Sequence, residues 1–389
     1  MGQADDIIDR YGAGLGRPLR YVQLNSFYNG STGTIMRDLH KGLAELGAES
    51  YAFWGRRRDT IDDHNRRVAT DVGVYLHGAL ARVTDRAGFY SKGDTRRLLA
   101  ILDEIDPDVV HLHNVHGYWV NVEMLFGWLA THRCQVRWTL HDCWSFTGHC
   151  SHFTMVKCEQ WRSHCSYSKK CPQLREYPTC YGPGACRRNF EDKRRAFTSV
   201  PPERMTIVTP SHWLADLVGQ SFLAGYPIEV RHNTVDTEVF KPTPSDFRER
   251  YGIGDRFMVL GVASPWTERK GLGDFVRLAG ELDSDKYAIV LVGLSEKQIR
   301  QLPEGVIGLA RTDSPQELAG IYSTADVFFN PTVEDNYPTV NLEAEACGTP
   351  VVTYDTGGCR ETLRRKDSRV IASCERTVDV ITALPRGCN

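Results

Sequence analysis

A chain of 389 residues exceeds what one core of ordinary size accommodates and suits two domains of about 150–200 residues each. Its 41% hydrophobic and 25% charged residues are those of a soluble globular protein, and a formal net charge of −2 supplies no global field for nucleic acid. No apolar run reaches the ~18–20 residues that span a bilayer. The polar, acidic start Met-Gly-Gln-Ala-Asp-Asp lacks the layout of a secretory signal. A cytoplasmic enzyme is therefore expected, and peripheral contact with the inner face of the membrane is compatible with that.

Strands and helices alternate along the chain, the pattern of parallel sheets covered on both faces. Residues 19–24 form a short apolar strand, followed by a loop over 25–33 and a helix over 34–46. Further strands fall at 108–113, 135–141 and 205–209, and Ser211 is placed to cap a helix starting at His212. The rhythm breaks over 143–195, which is rich in Cys, His, Tyr and Lys and is expected to be an insertion held by its own cross-links. The Pro-rich stretch 240–250 marks a linker, giving domains 1–242 and 243–389. The second domain repeats the pattern with strands at 257–262, 287–292, 306–309, 327–329 and 350–353. Ser314-Pro-Gln-Glu317 announces a helix by its Ser cap, first-turn Pro and Glu three positions on. The fold class is α/β, two Rossmann-like domains, and ligands in such sheets sit at the carboxyl ends of strands. Two such domains facing each other would enclose a cleft.

Chemistry concentrates in Pro331-Thr-Val-Glu-Asp-Asn-Tyr-Pro-Thr-Val-Asn-Leu-Glu-Ala-Glu-Ala-Cys-Gly-Thr-Pro350. A strand ends in a loop bearing Glu334 and Asp335, Pro338 opens a helix and Gly348 closes it. The amides of Thr339 and Val340 are then unpaired donors suited to a diphosphate. Asp335 and Glu343 can accept hydrogen bonds from sugar and ribose hydroxyls. The same acids also suit a plain helix start, where they offset the dipole.

This run is similar to the nucleotide-sugar signature of glycosyltransferase family 4, a retaining family with the two-domain GT-B fold. Its pattern is Glu, seven residues, Glu, then Ala-x-Ala-x-Gly-x-Pro. Asp335 and Glu343 keep the spacing, and Ala344, Ala346, Gly348 and Pro350 follow in step. Asp335 replaces the first Glu and Glu334 precedes it, so either carboxylate can take that role. Asn233-Thr-Val-Asp-Thr-Glu-Val-Phe240 resembles the family's junction segment, with Thr234 for a Gly, and Thr209-Pro-Ser211 resembles the turn before it. Gly261-Val-Ala-Ser-Pro-Trp-Thr-Glu-Arg-Lys-Gly271 resembles the loop that grips the donor diphosphate; Lys270 is in place, while Arg269 stands near the family's missing Arg. In the first half, Asn29-Gly-Ser-Thr-Gly33 resembles the Gly-rich loop, with Gly33 as its donor-side member. His141 ends a strand where the family has a His beside the reacting sugar. His111 and His113 share a strand face and suit packing or support roles. The family ordinarily ends in a long helix; here residues 364–389 leave room for a short one over 371–384.

The resemblance implies retaining transfer of a hexosyl or N-acetylhexosaminyl group from a nucleoside-diphosphate sugar. The acceptor is a glycan, a lipid-linked or a small-molecule hydroxyl. Lys270 and helix amides stabilise the leaving diphosphate and no catalytic metal is needed. Residues 140–150, Lys157-Cys-x-x-Trp161, Cys165 and Cys171-Pro-Gln-Leu174 look like a bacterial subgroup that builds surface polysaccharides. Within them Cys150, Cys158, Cys165 and Cys171 suit a four-thiolate structural zinc site, with free thiols or disulfides as the alternatives. Two rival functions remain on the sequence: a sugar-nucleotide epimerase or hydrolase of the same fold, and a non-catalytic metal- or glycan-binding scaffold.

Overall fold

A computed structural model of the chain describes residues 2–166, 170–372 and 377–385. It comprises two units, Met1–Arg231 and His232–Asn389. The division falls before the expected 242/243 linker because residues just after it are tied into the second unit. The His232 ring stacks on Tyr337 at 4.8 Å, Asn233 Nδ2 donates to the Tyr337 carbonyl at 3.5 Å and Thr243 N donates to Ser323 Oγ at 2.9 Å. A Pro-rich stretch signals an irregular path, not a free one. No helix among the described residues is long and apolar enough to cross a membrane.

In the first unit the strands are β1 (Arg20–Phe27), β2 (Glu49–Arg56), β3 (Asn65–Arg67), β4 (Val109–Leu112), β5 (Gln135–Thr139), β6 (Met205–Thr209) and β7 (Ile228–Val230). They lie in the order β3-β2-β1-β4-β5-β6-β7, every neighbour parallel. Parallel strands need crossovers, so helices cover the faces and the central strands read as near-continuous apolar runs. Val22, Leu24, Val110, Leu112, Val136 and Trp138 are all buried in one core. Trp138 meets Phe126 and Phe197 with ring centroids 5.0 and 4.8 Å apart, contacts whose loss on Trp138→Ala would cost about 3–5 kcal/mol. The helix expected from residue 34 begins at Ser31, and Ser211 caps the helix His212–Val218 by accepting from Leu214 N at 3.1 Å.

The second unit repeats the order. Its strands are β8 (Phe257–Val262), β9 (Tyr287–Val292), β10 (Val306–Leu309), β11 (Val327–Asn330), β12 (Val351–Tyr354) and β13 (Arg369–Ile371). They form the parallel sheet β10-β9-β8-β11-β12-β13. Counted from its own first strand this is 3-2-1-4-5-6, the Rossmann order, and the first unit contains the same arrangement with one strand more. Ser314 caps the helix Pro315–Thr324 as its sequence implies. The short final helix expected over 371–384 is Thr377–Thr382; residues 373–376 lie outside the described residues.

One buried charge pair fastens the far side of the first sheet. Arg137 on β5 is 2% exposed, and its Nη1 lies 3.2 Å from Glu229 Oε2 on β7. Arg10 Nη1 and Arg231 Nε also donate to Glu229, at 3.0 and 3.1 Å. Burial pushes the Glu229 carboxyl up, but the Arg137 charge and the three guanidinium hydrogen bonds outweigh it and bring the pKa down to about 2. An acid held below its ordinary 4.5 stabilises the fold above that pH and loses the contribution as pH falls toward 2. Glu229→Gln should therefore remove on the order of 3 kcal/mol at pH 7 and flatten the acid side of the stability profile. Urea unfolding at pH 7 and pH 3 checks this: the unmodified chain should lose more stability between the two than the variant does.

Candidate active site

In a sheet of this order the crossovers leave on opposite faces at the point where the order reverses, and the strand ends there open a crevice. In the second unit that point lies between β8 and β11. The β8 loop carries Arg269 and Lys270 and the β11 loop carries residues 331–338. The β11 loop is locked through the backbone to the β8 loop and to the loop that follows β12. Val333 N donates to the Arg269 carbonyl at 2.9 Å, and Gly358 N donates to the Asp335 carbonyl at 3.0 Å. At Gly271, with φ +77°, an added Cβ would lie 2.5 Å from the Pro331 oxygen; at Gly357, with φ +56°, it would lie 1.9 Å from the Asp335 oxygen. Only glycine fits either position.

Lys270 Nζ donates to Asp335 Oδ2, both side chains about one-fifth exposed. Arg269 donates to the Glu334 carbonyl and stands 3.9 Å from Asp335 Oδ2. The neighbouring carboxylates are thus unlike: Asp335 reaches the surface beside the cations, whereas Glu334 is 0% exposed. Four residues after Asp335 begins the helix Thr339–Ala346, whose N-cap Pro338 supplies no side-chain cap. The amides of Thr339 and Val340 there are the orphan donors of a helix start. A buried ladder holds this terminus, with Asn330 Nδ2 donating to Asn341 Oδ1 and Asn341 Nδ2 to Thr362 Oγ1, each at 2.8 Å. Glu343, one turn in, accepts from Tyr322 OH at 3.1 Å. Burial raises its pKa, against hydrogen bonds from Tyr322 and Thr339 that lower it. Gly348, φ +90°, ends the helix as expected.

In the first unit the reversal lies between β1 and β4, and there a line of side chains runs from Gln23 on β1 through His113 to His141. Gln23 Nε2 donates to the Met36 carbonyl at 3.0 Å, which turns Oε1 toward His113 Nε2 at 3.2 Å. His113 Nδ1 lies 3.2 Å from His141 Nε2. Burial pushes His113 well below its ordinary value and His141 to about 4, the latter despite Asp142, so both are neutral at pH 7. The tautomers then follow from the hydrogen bonds. His113 donates from Nε2 to Gln23, accepts at Nδ1 from His141 Nε2, and His141 is left with an acceptor lone pair on Nδ1. His111 forms a parallel link, with Nδ1 2.9 Å from Tyr21 OH and Nε2 2.7 Å from Thr139 Oγ1. Asp142 meets His116 Nε2 at 3.0 Å, and His116 Nδ1 lies 3.0 Å from Tyr177 OH.

The structure thus gathers Arg269, Lys270 and Asp335 at one strand end, with Glu334 buried beneath, and the helix that carries Thr339, Val340 and Glu343 starts four residues after Asp335. It places His141 at the equivalent crevice of the other unit. Gly33 is in the first turn of the helix Ser31–Glu45, where an added Cβ would lie 2.2 Å from the Tyr28 oxygen. Its close approach is to its own chain; Gly30, φ +85° with open space around it, is the exposed glycine of the loop. Sequence reasoning missed Gln23, Gly357 and Gly358. Gln23 had a signal, a lone amide inside an apolar strand, but its partners are 13 and 90 residues away.

The description "Glycosyltransferase Family 4" matches residues 32–239, and "Glycosyl transferases group 1" matches residues 256–385. WcaC of Escherichia coli, named for glycosyl transfer in colanic acid biosynthesis, is 24% identical over 89% of this chain and 85% of its own. Sucrose-phosphate synthase from Thermosynechococcus elongatus has the same fold, with a TM-score of 0.67 at 16% identity over 93% of this chain and 89% of that one. HepE of Anabaena, solved with UDP-glucose, superposes with a TM-score of 0.58 at 15% identity over 93% and 89%. With two Rossmann-like units of GT-B type and a family match across more than half its length, the chain belongs to glycosyltransferase family 4 and is a glycosyltransferase.

Proposed function

We propose that the chain transfers a sugar from a nucleoside-diphosphate sugar to a hydroxyl acceptor with retention at the anomeric carbon, in the synthesis of a polysaccharide or related glycoconjugate. The observation that carries this reading is Lys270 held on Asp335, four residues before a helix start at Thr339 and Val340 that has no side-chain cap. A leaving diphosphate gains negative charge in the transition state, and a fixed ammonium with helix-start amides stabilises it there more than in the ground state. Lys270 exchanges Asp335 for phosphate as the donor binds, which frees the Asp335 carboxylate to accept from a hydroxyl. Glu343 accepts from the donor's sugar or ribose hydroxyls. His141 offers its Nδ1 lone pair to a sugar hydroxyl, held in that tautomer by His113 and Gln23. In this reading the cation and amides take the place of a catalytic metal. The UDP-glucose bound to HepE and the colanic acid role in the name of WcaC support the donor class and the pathway class.

Nucleoside diphosphate released from a panel of UDP-, GDP- and ADP-sugars tests the reading. Release that depends on an added hydroxyl acceptor supports transfer; acceptor-independent release points to hydrolysis, and none with any donor to a binding scaffold. The preferred donor should raise Tm in a thermal-shift screen, since a ligand of the folded state stabilises it. Lys270→Ala should lower kcat/KM by roughly 10²–10³-fold, the scale of a lost oxyanion donor, and unchanged activity would remove it from the phosphate site. Gln23→Leu leaves His113 able to take either tautomer and should lower kcat about tenfold while the donor KM changes little. Unaltered kcat in the folded variant would show that the tautomer is set elsewhere.

A further inference from the structure

The four thiols that the sequence offers to zinc, Cys150, Cys158, Cys165 and Cys171, do not gather as one ligand set. Among the described residues the clustered ligand atoms of that segment belong to Asp85, His149 and Cys186, and the Cys171 thiol pairs with Cys186. Asp85 accepts from the Cys186 thiol at 3.4 Å and from Ala185 N at 2.6 Å, which fixes the point where one helix of the first unit ends. The uncovered face of that helix takes no part in either crevice.

The helix Asp71–Thr84 is apolar nearly all round, with Asp71 and Arg82 as its charged residues. A helix of that kind is ordinarily enclosed. Here the buried side is built from His77, Gly78 and Ala81, and His77 anchors it, with Nδ1 2.8 Å from Ser91 Oγ and Nε2 accepting from Gly88 N at 3.0 Å. The large side chains lie on the other side. Val72, Tyr75, Leu76, Leu80 and Val83 follow the three-and-four spacing of one stripe and are between 44 and 76% exposed. They are five of the twelve large apolar side chains that stand exposed among the described residues. Tyr181, 67% exposed, adjoins the end of the helix, its N donating to the Arg82 carbonyl at 2.6 Å. Single apolar side chains on a surface are ordinary; a continuous stripe marks a contact surface.

Cations line one edge of the stripe. Arg82 stands two turns from Tyr75 on the same edge, and its guanidinium lies 5.9 Å from the Tyr118 ring, which Arg56 meets from 5.7 Å. Burial lowers the Arg56 pKa, and the charges of Arg57 and Arg82 lower it further. None of these three is ion-paired among the described residues. At the C-terminal end of the helix, Arg175 stands over the Tyr181 ring at 5.4 Å. Asp71, the one acid of the helix, is already held by Arg67 Nη1 at 3.3 Å. An apolar stripe, tyrosines with a polar tip and unneutralised guanidiniums together suit the boundary between lipid chains and headgroups. A second copy suits the face less well, because a twofold contact sets the patch against itself and brings the unpaired guanidiniums of both copies together.

We propose that the stripe Val72, Tyr75, Leu76, Leu80 and Val83, with Tyr181, docks the first unit on a lipid bilayer bearing anionic headgroups. The helix lies in the plane of the interface, its stripe enters the headgroup boundary, and Arg56, Arg57 and Arg82 meet lipid phosphates. The surface is independent of the sugar-transfer reading and stands or falls without it.

Flotation of the full-length chain with vesicles of phosphatidylcholine containing about 30% phosphatidylglycerol, against phosphatidylcholine alone, tests the proposal. Binding to the anionic vesicles is expected, about tenfold weaker or more on the neutral ones and weakened by salt. Leu76→Gln combined with Leu80→Gln, both at exposed positions, should lower binding about tenfold. Tyr75→Ser repeats the test with one change at the most exposed position and should cost about threefold or more. Arg82→Gln should cost roughly fivefold on the anionic vesicles and nothing on the neutral ones. Circular dichroism and Tm show which variants are folded. No binding of the unmodified chain to the anionic vesicles overturns the proposal. So does equal binding to both vesicle types, or full binding by the folded leucine or Tyr75 variant. A chain that is dimeric by light scattering and monomeric once the stripe is substituted has this face covered by a second copy, and that result overturns it as well.

Discussion

Parallel pairing imposes the constraint on which the rest of the structure depends. Every strand must be entered from the same end, so each connection crosses back over a face, and right-handed crossovers leave only one way to change direction. Where the order turns, between β1 and β4 and between β8 and β11, adjacent loops depart to opposite faces and backbone groups at the strand ends are left uncovered. Lys270, Asp335 and the helix start at Thr339 occupy one such place, and His113 and His141 belong to the other. The chemistry is local, but its location is decided by the sheet.

At the crevice of the second unit, steric exclusion and charge work together. Gly271 and Gly357 allow three loops to touch at backbone distance, so the spacing of Lys270 and Asp335 is set by backbone contact more than by the flexibility of their side chains. At the crevice of the first unit the control is desolvation. Burial keeps the imidazoles neutral, and a neutral imidazole has one donor and one acceptor, so a hydrogen bond at either end of the line orders all of it.

Much of this was legible in the sequence because it is encoded within short windows. The central strands are apolar runs between turn residues, Ser211 and Ser314 announce their helices, and residues 331–350 carry their spacing in full view. What was not legible depends on partners distant along the chain. β2 mixes charged, aromatic and small residues, and β3, β7 and β13 are three residues each, so they exist only as additions to a sheet edge already present. Glu334 and Asp335 are adjacent and chemically alike, and only tertiary packing buries one and exposes the other. The 240–250 stretch looked like a linker because Pro and polar residues report on local backbone, not on whether Ser323 is waiting to bind it.

The line from Gln23 to His141 begins at a main-chain carbonyl, that of Met36 in the helix Ser31–Glu45. Its polarity is therefore inherited from the placement of a helix and not from any ionisable group. Were that carbonyl withdrawn, the Gln23 amide could turn over, both imidazoles could exchange their proton positions, and the outermost nitrogen would change from accepting to donating. Packing of this helix against β1 thus sets the hydrogen-bonding sense at His141, and the mechanical precision of the core becomes a chemical property of one lone pair.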